Sequence, residues 1–305
     1  MTVAPVWLSA WCEVHLGSSI AATLFSSSHM SSVFGVRLGD GREVVVKVRP
    51  ERRERIDSCL VAQAHLAEVG FPCPRPLTPA VTVDGLTAHA EALLDGGDLL
   101  RGASPTIAAR YAAAYAWLMS LLEAVEVPPP LPNPYWLGWQ HTGAGLWPEA
   151  EWLDQRDQRL VPDFVVDTAE RTSRRLRDSS LPNVLGHGDF EAQNLRWSED
   201  RLWAVHDWDS LAWFPEAALV GAAAGSFASA ETPTLAPLES SEAFLSTYQD
   251  CRQRQFSREE EEVAWAASLW PAVHNARGEA LFHQPPVTTE PLAEQASERL
   301  RRADA

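Results

Sequence analysis

His187-Gly188-Asp189-Phe190-Glu191-Ala192-Gln193-Asn194, followed by Ala204-Val205-His206-Asp207-Trp208-Asp209, is the stretch on which the reading of this chain turns. Asn194 stands five residues after Asp189, and Asp207 thirteen after Asn194. Phosphoryl transfer from a metal-bound nucleotide asks for this order. The first carboxylate orients an attacking hydroxyl, and the amide and second carboxylate offer hard oxygen ligands to a divalent ion. Residues 195–206 read as a short strand, a polar turn and a second strand, a hairpin that brings Asp207 back near Asn194.

With these residues in place the chain resembles the aminoglycoside phosphotransferase and choline kinase superfamily, which shares the protein-kinase fold. His-Gly-Asp stands where protein kinases carry His-Arg-Asp, with the Asn at the same offset. The resemblance implies an α+β, protein-kinase-like fold, with a small N-terminal antiparallel sheet lobe and a larger, mostly helical C-terminal lobe. It implies Asp189 as catalytic base, Asn194 and Asp207 as magnesium ligands, and His187 as a structural brace for the loop. ATP or GTP and Mg²⁺ are the implied cofactors. The implied acceptor is an antibiotic or another hydroxylated amine. The likeness covers about residues 20–230 in pattern, and the last quarter matches only in helical character.

Upstream, Ala22–Phe25, a hydroxyl-rich loop over Ser26–Ser32, Val33–Leu38, a Gly39-Asp40-Gly41 turn and Glu43–Val48 read as a strand meander. Lys47 lies inside an otherwise apolar strand, where an ammonium is costly unless paired or functional. In the kinase architecture that position holds the lysine that grips the nucleotide phosphates. Ser27, Ser28 and Ser31 are the hydroxyls placed to meet phosphate oxygens, because the loop is serine-rich rather than glycine-rich. A helix over Glu51–Val69 follows, in the place that normally supplies a glutamate to the lysine. Its acidic residues stand off mid-helix, leaving open whether Asp57 turns inward, Gln63 substitutes a neutral hydrogen bond, or the lysine is held another way. A hairpin around Asp84-Gly85 ends near Gly97, so the expected lobes are residues 1–97 for nucleotide binding and 98–305 for catalysis and substrate.

Beyond Gly97 the period is helical: Thr106–Val127, Asp163–Asp178, Glu216–Ala230, Ser241–Gln255, Glu259–His274 and a terminal helix over Glu290–Ala305. Leu131–Trp152 is irregular and aromatic, and reads as a core-anchored connection in preference to a hydrophobic lid. Arg171, Arg174, Arg175 and Arg177 read as a solvated helix face. Glu149, Glu151, Asp154 and Asp157 read either as a hold for a cationic substrate or as plain surface charge.

The chain has 305 residues, 25 basic and 41 acidic side chains, and a formal net charge of −16. That balance repels phosphate backbones and anionic headgroups, so neither nucleic acid nor membrane is an expected partner. The four cysteines lack paired or metal-binding spacing, and no basic n-region precedes an apolar run at the N-terminus, so a cytoplasmic chain with free thiols is expected. Two other readings remain: a two-metal phosphoesterase built on His187, Asp189, His206, Asp207 and Asp209, and a kinase-like binding protein with little catalysis.

Overall fold

A computed structural model describes residues 5–28, 31–50, 52–127, 133–134, 137–141 and 145–305. The chain divides into two compact units, one of residues 1–97, 125–131 and 203–209, the other of residues 98–124, 132–202 and 210–305.

The first unit opens with a helix that the sequence reading did not anticipate, α1 (Val6–Leu16), ended by Gly17 in the left-handed conformation. Strands β1 (Ile20–Ser28), β2 (Ser32–Leu38), β3 (Glu43–Arg49), β4 (Val81–Val83) and β5 (Leu86–Ala92) form an antiparallel sheet in the order β1-β2-β3-β5-β4. Helix α2 (Arg53–Glu68) joins β3 to β4. Strand alternation sorts β3 into two faces. Val44, Val46 and Val48, with Ala88 and Ala90 of β5, form one core with Leu8, Trp11 and Cys12 of α1. Val45, Lys47 and Arg49 therefore face the other side. At the β4–β5 turn Asp84 and Gly85 both have positive φ, 50° and 79°, as the tight hairpin expected there requires.

The second unit is mostly helical: α3 (Pro105–Leu122), α4 (Glu151–Asp154), α5 (Asp163–Arg177), α6 (Glu216–Ser226), α7 (Leu238–Arg252), α8 (Arg258–Ala267), α9 (Trp270–Phe282) and α10 (Thr289–Arg302). Strand β6 (Asn183–His187) pairs antiparallel with β9 (Leu211–Pro215). Between them β7 (Leu195–Ser198) and β8 (Arg201–Val205) make the two-stranded hairpin that the motif called for. Two helix expectations are corrected. The single helix over Glu259–His274 is two, because Pro271 lacks the N–H that a continuous helix would use and sits instead in the first turn of α9. The arginines of α5 are more than a solvated face: Arg175 bonds Glu262 at 2.8 Å and Arg177 donates to the carbonyl of Trp139.

α6 is buried around its whole circumference, and Gly221 and Gly225 let α8 lie against its backbone. α3 packs along α7, and its Tyr111 and Tyr115, both fully buried, anchor an aromatic core with Phe190, Trp197, Phe227, Phe244 and Tyr248. The aromatic segment before α4 is core-anchored where it is described, with Trp139 stacked on Phe214 at 4.0 Å; Tyr135 and Trp136 lie outside the described residues.

Candidate functional site

In the sheet unit, the face of β3 turned away from α1 carries buried charge. Lys47 Nζ lies 3.1 Å from Glu91 Oε1, and both side chains are almost wholly removed from solvent. Glu91 is on β5, one alternation step from His89, which stands directly opposite Lys47. Gln63 of α2 donates from Nε2 to Glu91 Oε2 (2.9 Å) and to the carbonyl of Pro74 (2.8 Å). Burial pushes the Glu91 carboxyl up, but the charge of Lys47 and the hydrogen bonds from Gln63 and Lys47 more than offset this, and its pKa falls below the usual range. Burial takes His89 down to about 3, against the pull of Glu91, so its imidazole is neutral. Arg49, the next inward residue of β3, pairs with Asp209.

This answers the question that α2 left open. The carboxylate beside Lys47 comes from a strand, and Gln63 holds that carboxylate rather than the lysine. Asp57 is turned to the surface, where it pairs with Arg53 at 3.3 Å and accepts from the backbone N–H of Ala80. Sequence reasoning missed Glu91, although a signal was present. Thr87, His89 and Glu91 alternate with Ala88 and Ala90, an interleaving that puts three polar side chains on one face of a buried strand.

The hydroxyl-rich loop is shorter than expected. Ser26–Ser28 complete β1, with Ser27 opposite Val33 and Ser28 opposite Ser32, so only Ser31 of the three candidate serines stands between the strands. His29 and Met30 lie outside the described residues. Asp207 belongs to this same unit and has φ 61°, a left-handed backbone that Asp tolerates better than most residues. The N–H of Val205 donates to Pro72 O (2.8 Å). Trp208, buried edge-on to Phe71, donates its indole N–H to Val205 O (2.9 Å).

In the helical unit, the loop after β6 is set from below. Tyr115 Oη donates to the carbonyl of His187 (2.8 Å), and its ring lies tilted against that of Phe190, centroids 4.5 Å apart. His187, fully buried, accepts the N–H of Asp189 at Nδ1 (3.2 Å). The backbone N–H groups of Ala192 and Gln193 donate to the carbonyls of Phe227 and Ser229 just past α6. Asn194 Nδ2 donates both to Asp189 O (2.9 Å) and to Asp189 Oδ2 (2.8 Å). Two acceptors fix which end of the amide is nitrogen, so the Asn194 carbonyl oxygen is turned away from Asp189. Burial, reinforced by the charge of Asp189, raises the carboxyl of Glu191 well above the ordinary range. Asp189 and Asn194 are thus brought together inside one unit, while Lys47 and Asp207 belong to the other.

Of the four acidic residues before the loop, Asp154 bonds Arg277 at 2.7 Å and caps the N–H of Ala150, Asp157 pairs with Arg159, and Glu151 accepts from Gln155. Glu149 and Asp154 line, with Trp147, Gln158 and Arg277, an open recess of about 260 Å³. Among the described residues no three His, Cys, Asp or Glu side chains gather as a metal-ligand set. No helix among the described residues is long and apolar enough to cross a membrane.

The profile of a phosphotransferase enzyme family matches residues 22–236. The chain belongs to that family. A search of curated proteins returns no match. Solved structures give many. A microcompartment-associated aminopropanol kinase is 15% identical, with TM-score 0.66, over 98% of this chain and 97% of its own. An amicoumacin kinase in complex with AMP-PNP, Ca²⁺ and Ami is 10% identical, with TM-score 0.60, over 92% and 88%. A putative fructosamine-3-kinase from Thermobifida fusca is 18% identical, with TM-score 0.54, over 96% and 98%. At these identities the likeness establishes the fold: α+β and kinase-like, with a small antiparallel sheet unit and a mostly helical remainder.

Proposed function

We propose that this phosphotransferase moves the γ-phosphate of ATP to a hydroxyl of a small hydroxylated amine. Family membership supplies the reaction class, and the Asn194–Asp189 hydrogen bond at 2.8 Å is the observation that carries the residue roles. It fixes the orientation of the Asp189 carboxylate, as an orienting base requires. Asp189 is the proposed base. Lys47 is the proposed grip on the nucleotide phosphates, paired with Glu91, which Gln63 holds in turn, with hydroxyls of Ser27, Ser28 and Ser31 as further phosphate contacts.

Asn194 and Asp207 are the proposed magnesium ligands. The donor chemistry fits: the Asn194 amide has spent its N–H groups on Asp189, so a hard carbonyl oxygen is what it offers a cation. When bound, Mg²⁺ neutralises charge on the phosphates. Arranged so, the protein's work is positioning and electrostatics rather than covalent chemistry.

The names of the structural neighbours support the acceptor class, since aminopropanol, amicoumacin and fructosamine kinases are named for amine-bearing compounds. In the recess, Arg277 already pairs with Asp154 and lies over the Trp147 ring, so Glu149 is the proposed counter-charge for an ammonium there. Turnover is testable by ATP consumption across aminoglycosides, other amine antibiotics, amino alcohols, choline-like amines and sugars. Asp189→Asn should keep fold and nucleotide binding while losing on the order of 10²–10⁴-fold in turnover. Undiminished turnover in that variant contradicts the assignment.

A further inference from the structure

The face of β3 that carries Lys47 carries a second buried cation two residues on. Arg49 is only 3% exposed and its partner Asp209 8%. Both belong to the sheet unit, as do residues 203–208. Asp209 is not an isolated surface acid that happens to meet an arginine. It closes a short segment whose centre, Asp207, has a left-handed backbone; Asp tolerates that conformation better than most residues, but it still draws support from its surroundings.

That support comes from two sides. Upstream, the N–H of Val205 is bonded to Pro72 O, and the buried indole of Trp208 is bonded back to Val205 O and wedged against Phe71. Downstream, the only salt bridge to Asp209 among the described residues is that from Arg49, made to Oδ2, and Asp209 Oδ1 is buried without a hydrogen-bond partner. A carboxylate so placed depends on its counter-charge. Without the guanidinium it would swing out toward water, turning the two intervening peptide units with it.

Resting on the reading of Asp207 as a metal ligand, we infer that Arg49 is a positioning residue: by holding Asp209 it fixes the turn from which Asp207 meets the divalent cation, while itself touching neither cation nor substrate. Lys47 and Arg49 divide the work of one strand. The first serves the nucleotide and the second serves the metal-binding turn.

The test is Mn²⁺ titration of the full chain in the presence of ADP, read by electron paramagnetic resonance, with ADP binding measured separately without metal. Arg49→Met and Asp209→Asn should each weaken Mn²⁺ binding tenfold or more while metal-free ADP binding stays within twofold. The Arg49→Met/Asp209→Leu double variant, which replaces the pair by apolar side chains, should be no weaker than Arg49→Met alone, because both substitutions break one interaction. Arg49→Lys should fall between the parent and Arg49→Met. Before any metal is added, amide hydrogen exchange across residues 203–209 should quicken in Arg49→Met, with β1 and β2 unchanged.

Parent-like Mn²⁺ binding in Arg49→Met overturns the inference. So does a parallel loss of metal-free ADP binding, which would make Arg49 a nucleotide contact. If Arg49→Met does not fold, Arg49→Lys decides: severalfold weaker Mn²⁺ binding supports the inference, and parent-like binding overturns it. Asp207→Asn separates the two layers. Parent-like Mn²⁺ binding there removes the metal assignment and the inference together, whereas a defective Asp207→Asn beside a parent-like Arg49→Met removes the inference alone.

Discussion

Replacing Glu91 by Gln keeps the side chain's shape and removes the charge opposite Lys47. The Lys47 and Glu91 side chains retain 7% and 3% of their exposure, so little water is available to screen the ammonium left behind. Breaking a buried pair by removing one partner costs about 3–5 kcal/mol, because the surviving charge is uncompensated. The introduced amide could still meet Gln63, so the lower end, about 3 kcal/mol, is the expected loss. The Lys47→Met/Glu91→Leu double variant removes both charges at similar volume and should cost no more than about 1 kcal/mol. Glu91→Gln should therefore be the less stable of the two by about 2 kcal/mol or more. Asp57→Asn is the contrasting control. Its ion pair is exposed, and its loss is worth about 0.5 kcal/mol or less beyond the cap it provides to Ala80. Urea denaturation followed by circular dichroism measures all of these. Equal destabilisation of Glu91→Gln and of the double variant would refute the reasoning, since it would mean that the two charges do not depend on each other.

Burial and close approach set two further expectations. His89, held down to about 3 from an ordinary 6.5, is neutral in the folded chain and protonated in the unfolded one between those values. Stability should therefore be full above pH 6.5 and fall as pH drops toward 3, by up to about 1.4 kcal/mol per unit from this group. His89→Gln should flatten that slope in thermal melts taken from about pH 7 to about pH 4, and an unchanged slope would assign the acid sensitivity elsewhere. At Gly221 an added Cβ would stand 2.6 Å from Ala264 Cα, with backbone rather than a flexible side chain in the way. Gly221→Ala should cost about 3 kcal/mol or more as α6 and α8 are forced apart, whereas Gly278→Ala, with open space at the Cβ, should be neutral or slightly stabilising.

Much of this was legible because local chemistry decided it. The Asp84-Gly85 hairpin, the strand carrying Lys47 and the loop carrying Asp189 and Asn194 each announce themselves within a short run of residues. The partner of Lys47 did not. It depends on β5 lying beside β3, a pairing between strands well separated in sequence that no local period encodes. The same limit hid Arg49–Asp209, whose halves are separated by most of the chain. Helix α1 was overlooked because its residues are apolar nearly all round, which leaves no amphipathic stripe to read. The split between α8 and α9 was written in Pro271, a breaker inside an otherwise convincing helical run. Ser26–Ser28 read as loop because hydroxyl residues favour turns, but pairing with β2 along its length holds them extended.

Where a kinase fold mounts the lysine's carboxylate on a helix, moving that helix can switch the enzyme off. Here the carboxylate is riveted into a strand zipped to β3 along one edge and to β4 along the other. Dislodging it would mean tearing the sheet, so this pair offers no hinge for a regulator to work.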